Sequence, residues 1–211
     1  MEFTAPQAGL FEMADPSTQS VDPENERDIA LMARIATGDE VAFRALVERH
    51  QHVVIGMMAK MLNDPIEAED LAQRVFLRVW KHAKRWKPEA KFTTYLFTIA
   101  RNLVYNESRR RSRKKEISSD QRGEEFGAES AADARIEPDA ETLRNEMHDE
   151  IDLAIASLPE NQRAAVVLYA YESMPYEEIA KVLGTSVSSV KSLIFRGRTS
   201  LREKLAHFTG Y

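Results

Sequence analysis

Apolar residues recur at three- and four-residue spacing along most of the chain, the period of one buried helix face. Ile29, Met32, Ala33, Ile35 and Ala36 mark a short helix that starts near Arg27 and is closed by Gly38. Asp39 is a good N-cap for a second helix, with Phe43, Leu46, Val47, His50, Val54, Met57, Met58 and Met61 on its apolar face. Asn63-Asp64-Pro65 stops that helix and starts a third, because proline fits the first helical turn. There Leu71, Val75, Val79, Ala83 and Trp86 form an inward stripe, predicting a helix from Pro65 to Trp86. Asp70, Gln73, Arg74, Leu77 and Lys81 fall on its other side. After a loop at Lys87–Lys91, a fourth helix is expected from Phe92 to Lys114, with Leu96, Ile99, Ala100 and Leu103 inward.

The period lapses over residues 116–142 and returns afterwards. Met147, Ile151, Ala154, Ile155 and Leu158 define one helix, and Ala164, Val167, Leu168 and Tyr171 the next. Pro175 opens a short helix that ends at Leu183-Gly184, and Thr185-Ser186 caps a last one from Val187 to about Phe208. Gly184 suits the tight turn of a helix-turn-helix, and Ala180 is small enough for a close helix crossing. In the last helix Val187, Val190, Ile194, Gly197, Leu201 and Leu205 point inward. Ser188, Lys191, Ser192, Phe195, Arg198 and Arg202 point outward, with Ser189 and Arg196 beside them. No strand-period alternation and no tandem repeat is visible. The expected fold is all-α: two small helical domains joined by a flexible acidic linker, the C-terminal one carrying the helix-turn-helix. The divisions are a disordered acidic extension at 1–26, a first domain at 27–115, a linker at 116–142 and a second domain at 143–211.

Charge sharpens this picture. The net charge is −5, but residues 74–115 hold fourteen basic residues against two acidic ones. Residues 1–26 hold six acidic residues and no basic one, and residues 116–150 twelve against three. A strong local positive field inside an acidic chain points to a polyanion, most often nucleic acid. The acidic linker has the right sign to fold back on the basic block.

Other chemistry is thin. There is no cysteine, so disulfides, thiolate metal sites and a cysteine nucleophile are excluded. His50 and His52 lie two apart on a helix, the wrong spacing for a shared metal. Glu67, Glu69 and Asp70 read as first-turn helix charges. No catalytic site assembles, and no cofactor or small-molecule substrate is expected. No apolar run reaches membrane-spanning length, and the N-terminus lacks the basic and apolar parts of a signal peptide. The expected location is the cytoplasm.

Two surfaces remain. The outer face of the last helix suits a major groove, where Lys and Arg reach phosphates or guanine edges and serines donate to either. Phe195 stands out: it meets a thymine methyl, or it packs against a neighbouring helix of its own chain. The basic block interleaves Trp80, Trp86, Phe92, Tyr95, Phe97 and Tyr105 with cations, a combination that tracks a backbone and holds unstacked bases. Together they suggest two separated DNA elements, one of them melted.

The residues that carry a resemblance are Asp70 to Trp80 (DLAQRVFLRVW), Phe92 to Leu103 (FTTYLFTIARNL), Leu158 to Arg163 (LPENQR) and the helix-turn-helix with Ile194 to Arg198 (IFRGR). In this order and spacing the chain resembles a bacterial RNA polymerase sigma factor of the extracytoplasmic-function (ECF) type. The resemblance implies that Asp70, Gln73, Arg74, Leu77, Arg78 and Lys81 dock on the clamp helices of the polymerase β′ subunit. It implies that Lys84, Lys87, Lys91 and Tyr95 surround a flipped base of the minus-ten element, and that Arg101, Asn102, Tyr105 and Arg109 follow the non-template strand. Ser188, Ser189, Lys191, Ser192, Phe195 and Arg196 then read the minus-thirty-five duplex, with Arg198 and Arg202 on phosphates. The second domain sits on the β flap, and an anti-sigma factor is a further partner.

Two positions depart from the family pattern: Arg74 stands where an acidic residue is usual, and Tyr95 where tryptophan is common. A stand-alone helix-turn-helix regulator is the alternative reading. It accounts for the C-terminal domain and leaves Asp70–Lys115 without a purpose.

Overall fold

The structure, a computed structural model, describes residues 22–119 and 140–208. Among them every regular element is helical. The first domain contains α1 (Pro23–Ile35), α2 (Glu40–Leu62), α3 (Pro65–His82) and α4 (Phe92–Ser119). The second contains α5 (Ala140–Ala156), α6 (Glu160–Ala170), α7 (Tyr176–Leu183) and α8 (Val187–Lys204). Short 3-10 turns follow α3 (Ala83–Arg85) and α8 (Ala206–Phe208).

Several boundaries differ from the sequence expectation, each for a local reason. Helix α1 begins at Pro23, four residues before Arg27. Asp22 accepts the Asn25 amide at 3.4 Å, Pro23 opens the first turn, and Glu24 and Glu26 complement the helix dipole. The acidic extension is therefore shorter than 1–26, and its remaining residues lie outside those described. Helix α3 stops at His82 rather than Trp86. Pro88 disfavours helical backbone at Lys87, so the chain tightens into the 3-10 turn and leaves Trp86 extended and only half-buried. Helix α4 continues to Ser119 and α5 starts at Ala140, so both ends of the 116–142 stretch are helical. The rest of that stretch, with the flexibility and the fold-back onto the basic block read into it, lies outside the described residues. Helix α8 closes at Lys204, short of Phe208.

The apolar stripes meet as their spacing requires. Leu46, Val54, Met57, Met58 and Met61 of α2 pack with Leu71, Val75 and Val79 of α3 and with Phe92, Leu96 and Leu103 of α4, all essentially without solvent contact. In the second domain α6 is covered on every side: Ala164 to Leu168 are five consecutive buried residues. A helix apolar all round needs neighbours all round. Helices α7 and α8 cover one flank, and α2 of the first domain covers the other. Helix α7 packs on α4 and α5 on α2, so the two domains lie directly against each other.

Gly184 ends α7 at φ +62°, and the Thr185 amide donates to the Ala180 carbonyl at 3.0 Å, closing the turn of the helix-turn-helix. Gly197 serves a different purpose: a Cβ there would lie 2.6 Å from Val166 Cγ2. Glycine lets α8 approach α6. Gly197→Ala is expected to lower stability by about 1–3 kcal/mol through overpacking, despite alanine's better helix propensity. Urea unfolding followed by circular dichroism measures it.

Glu172, in the turn between α6 and α7, is half-buried, and burial pushes its carboxyl up to about 7. The folded state thus holds a proton that the unfolded state releases near 4.5. The group's contribution to stability is complete below that lower value and is lost as pH rises through about 7. Glu172→Gln should therefore stabilise the protein at pH 8 by about 1 kcal/mol, allowing for solvent screening, and give no gain at pH 4. Unfolding curves at the two pH values check this.

Candidate nucleic-acid interface

The outer face of α8 is fully presented. Ser186 caps the helix by accepting the Ser189 amide at 3.2 Å. Lys191, Ser192, Phe195 and Arg196 line a shallow hollow of about 460 Å³. Phe195 is 71% exposed, so no neighbouring helix among the described residues covers it. Ser188, Arg198 and Arg202 are exposed beside it, and Ser189 is half-buried. Lys191, Arg196, Arg198 and Arg202 form no ion pair among the described residues. The face therefore offers four uncompensated cations around one apolar ring.

The basic block of the first domain is less open than its charge suggests. Arg110 bonds Glu107 at 2.6 Å, and Arg111 pairs with Asp64 at 2.9 Å and with Glu67. These acids belong to α4 itself and to the start of α3. Part of the positive run thus ties α4 to the start of α3, and Arg109, exposed, stands outside that network.

The residues expected at the minus-ten element divide into two groups. Lys84, Lys87, Asn102 and Arg109 are exposed. Lys91 is exposed but held by Asp22 at 2.7 Å. Tyr95 is half-buried in an aromatic cluster, its ring 6.1 Å from Trp86 and 6.2 Å from Phe92, and burial raises its hydroxyl. Arg101 and Tyr105 lie one turn apart on a different stripe of α4, facing the second domain. Arg101 donates to the Val182 carbonyl at 2.7 Å and stacks 4.8 Å over the Tyr105 ring. The Tyr105 hydroxyl donates to Asn161 Oδ1 at 2.8 Å, and burial raises its pKa. Thr94, on the same stripe, donates to Glu178. Burial opposes ionisation of Glu178, but Thr94 and Lys181 outweigh it and hold the carboxyl below its ordinary value.

The third set of residues lies on the far side of α3. Asp70, Gln73, Arg74, Leu77, Arg78 and Lys81 are all exposed. Gln73 and Leu77 border an apolar groove between α2 and α3, in which Phe43 and Val47, placed by spacing on the inward face of α2, remain open. Phe43, Val47, Ile55 and Phe76 line one stretch, about 450 Å³, and Phe43, Val47, Leu77 and Trp80 an adjoining one, about 520 Å³. Leu77 is 53% exposed at its rim. The available signal was Leu77 itself, an apolar residue off the inward stripe of its helix.

Helical throughout the described residues, with a cationic helix-turn-helix face, a second basic surface beside an aromatic cluster, and an open apolar groove, the chain has the features of a DNA-binding protein that works on a larger partner. Its residues 46–114 match the family model for Sigma-70 region 2, and residues 148–201 that for Sigma-70 region 4. It is 32% identical over 182 residues to the RNA polymerase sigma-H factor of Pseudomonas aeruginosa, covering 85% of this chain and 94% of that one. It is 29% identical over 185 residues to the ECF sigma-E factor of Escherichia coli K12, covering 86% and 96%. Two solved structures share the fold: CnrH in complex with the cytosolic domain of CnrY, and RpoE in complex with the anti-sigma factor NepR from Bartonella quintana. The first has a TM-score of 0.63 at 23% identity, over 86% of this chain and 98% of that one. The second has 0.60 at 24%, over 78% and 96%. The chain belongs to the Sigma-70 family and is an ECF sigma factor. It binds RNA polymerase core, recognises promoter DNA and directs transcription initiation. Among the described residues no helix is long and apolar enough to cross a membrane.

Proposed function

We propose a division of labour among the three surfaces. The rim of α3, Asp70, Gln73, Arg74, Leu77, Arg78 and Lys81, docks on the β′ clamp helices, with the α2–α3 groove receiving an apolar side chain of the clamp. Lys84, Lys87, Lys91 and Tyr95 surround a flipped minus-ten base, and Arg101, Asn102, Tyr105 and Arg109 follow the non-template strand. The hollow on α8 reads the minus-thirty-five duplex through Ser188, Ser189, Lys191, Ser192, Phe195 and Arg196, while Arg198 and Arg202 hold phosphates. The working units are the two helical domains, the first running from α1 through α4 and the second from α5 onward, the second seated on the β flap. The protein works in the cytoplasm, without a catalytic step or a cofactor of its own, and an anti-sigma factor is a partner.

The observation that carries this reading is Phe195, exposed among unpaired cations on the second helix of a helix-turn-helix. Apolar surface in such a place is retained for a partner that is both anionic and apolar in patches, as a duplex groove is. The test is run-off transcription with core polymerase and mapping of start sites. Promoter-specific transcripts are expected. DNA binding without core, and no transcript with it, points to the stand-alone regulator instead.

Arg74 is exposed and has no ion-pair partner among the described residues. If the clamp surface favours an acidic residue here, Arg74→Glu tightens core binding by about 0.5–1 kcal/mol, the scale of one exposed charge pair. Titration of labelled protein with core enzyme measures it. A loss of affinity shows that Arg74 has an acidic partner on the polymerase.

A further inference from the structure

We propose that the start of α1 is a positioning device for minus-ten recognition: Asn25, with Asp22 beside it, sets the first turn of α4 and the side chain of Lys91. The proposal rests on the minus-ten assignments of the preceding subsection and adds to them two residues outside the basic block.

The argument begins with a need that the local sequence does not meet. The Tyr95 amide donates to the Lys91 carbonyl at 3.3 Å, which puts Lys91 at the cap position of α4. The first amides of a helix have no partner within it, and a lysine side chain carries no acceptor. Asn25 of α1 fills the place: its Oδ1 accepts the Phe92 amide at 2.8 Å, from 67 positions away in the chain. Asp22 holds Lys91 Nζ at 2.7 Å and also accepts the Asn25 amide at 3.4 Å, so it steadies the capping residue as well as the lysine. Both ties fall where the loop before α4 becomes helix.

Polar groups alone brace this end of α1. Its buried apolar residues, Met32 and Ile35, lie toward the other end, and ahead of them the buried residue is Asp28. Asp28 Oδ1 lies 3.1 Å from Arg49 Nε and 3.0 Å from His50 Nε2, and Arg49 also reaches Glu24 at 2.6 Å. The His50 ring in turn stands 5.2 Å from that of Phe92. Helix α2 thus fixes α1, and α1 fixes α4. Exposed polar bonds of this kind add little net stability but impose direction. A turn of helix held by them, with no apolar burial, is suited to setting an angle rather than to holding a core.

The consequence is carried by the first turn of α4. Without its cap that turn frays, and because the Tyr95 amide is bonded to the Lys91 carbonyl, both residues shift together. Lys91 and Tyr95 are two of the four side chains assigned to the flipped base. A site for one extruded base depends on preorganised placement. Phosphate contacts made further along α4 are untouched by fraying at its start, so selectivity falls more than total binding.

The experiment uses holoenzyme assembled from the full chain and core polymerase. The probes are two fork-junction DNAs that differ only in the flipped base of the minus-ten element, taken from mapped start sites. Asn25→Ala should lower discrimination between them about fivefold, the scale of one lost helix cap. Asn25→Asp keeps the acceptor and should restore discrimination to within about twofold of the starting protein. Asp22→Ser keeps the cap of α1 but is too short to reach Lys91, and should lower discrimination by about twofold, the scale of one exposed ion pair. Glu26→Ala, exposed on the same turn of α1, is the control and should change nothing. Affinity for core should stay within about twofold for every variant, whereas a merely structural role would lower it in parallel, since the same domain docks on core. Unchanged discrimination in Asn25→Ala overturns the proposal. So does a parallel loss of core affinity, or a failure of Asn25→Asp to restore selectivity. Failure of the minus-ten assignments has a separate signature: Lys87→Ala and Tyr95→Ala then leave discrimination intact as well.

Discussion

Replacing Leu77 by aspartate should abolish most core-dependent transcription while leaving the fold intact. Leu77 is 53% exposed on α3, beside Phe43, Val47 and Trp80, and contributes little to the domain's own core. Exposed substitutions away from special features change stability by about 0.5 kcal/mol or less. In a docked complex the same carboxylate would be buried against apolar surface without a partner. Interface centres of this kind are worth about 2 kcal/mol or more, roughly a thirtyfold loss of affinity for core. Ile66→Asp is the control. Ile66 is 81% exposed on the first turn of the same helix and lies outside the groove, so its substitution should leave core binding within about twofold. Parallel titrations with core enzyme, with circular dichroism on each variant, decide the matter. Equal losses for both variants would show that the groove has no special part in docking.

The second large effect is expected at the duplex. Phe195→Ala and Arg196→Ala should each lower discrimination between a cognate and a scrambled minus-thirty-five element by about 1–3 kcal/mol. Arg198→Ala and Arg202→Ala should weaken binding to both sequences alike and reduce the salt dependence. Phe195 is mostly exposed and takes little part in packing among the described residues, so its effect is readable as recognition. Competition binding at two salt concentrations separates the two kinds of contact. A uniform loss across sequences for Phe195→Ala would place the ring on the backbone instead of on a base edge.

The helices were legible because their information is local. Asp39 and Asp64 cap as their side chains dictate, accepting the Ala42 amide at 2.9 Å and the Glu67 amide at 3.1 Å. Gly184 takes the left-handed angle that ends α7. The exposed α8 face followed from the same logic, since its inward stripe was complete without Phe195. Boundaries failed where two local signals competed, as at Trp86, whose apolar spacing continued a helix that Pro88 prevented.

What spacing could not tell was which part of an apolar stripe remains without a neighbour. Phe43 and Val47 belong to the period of α2, yet they line an open groove. Nor could a count of charges distinguish Arg111, tied to Asp64 and Glu67 some 45 residues earlier, from the exposed Arg109. The docking of the domains left one trace in the sequence. The run Ala164-Ala165-Val166-Val167-Leu168 is too apolar for a helix with one buried face, and α2 proves to be the extra neighbour.

The amino-acid sequence by itself determined the helical class, the two-domain division, the helix-turn-helix and the sign of each surface. All of these depend on interactions within a few residues or on the chemistry of single side chains. Only the tertiary structure decided that the domains touch, that Arg101 and Tyr105 are engaged by the second domain, and that a groove lies open between α2 and α3. Those outcomes depend on bonds between residues 56 to 81 positions apart, as Tyr105–Asn161 and Arg101–Val182 are. No periodicity encodes such pairs, because each element satisfies its own hydrogen bonds regardless of what finally packs against it.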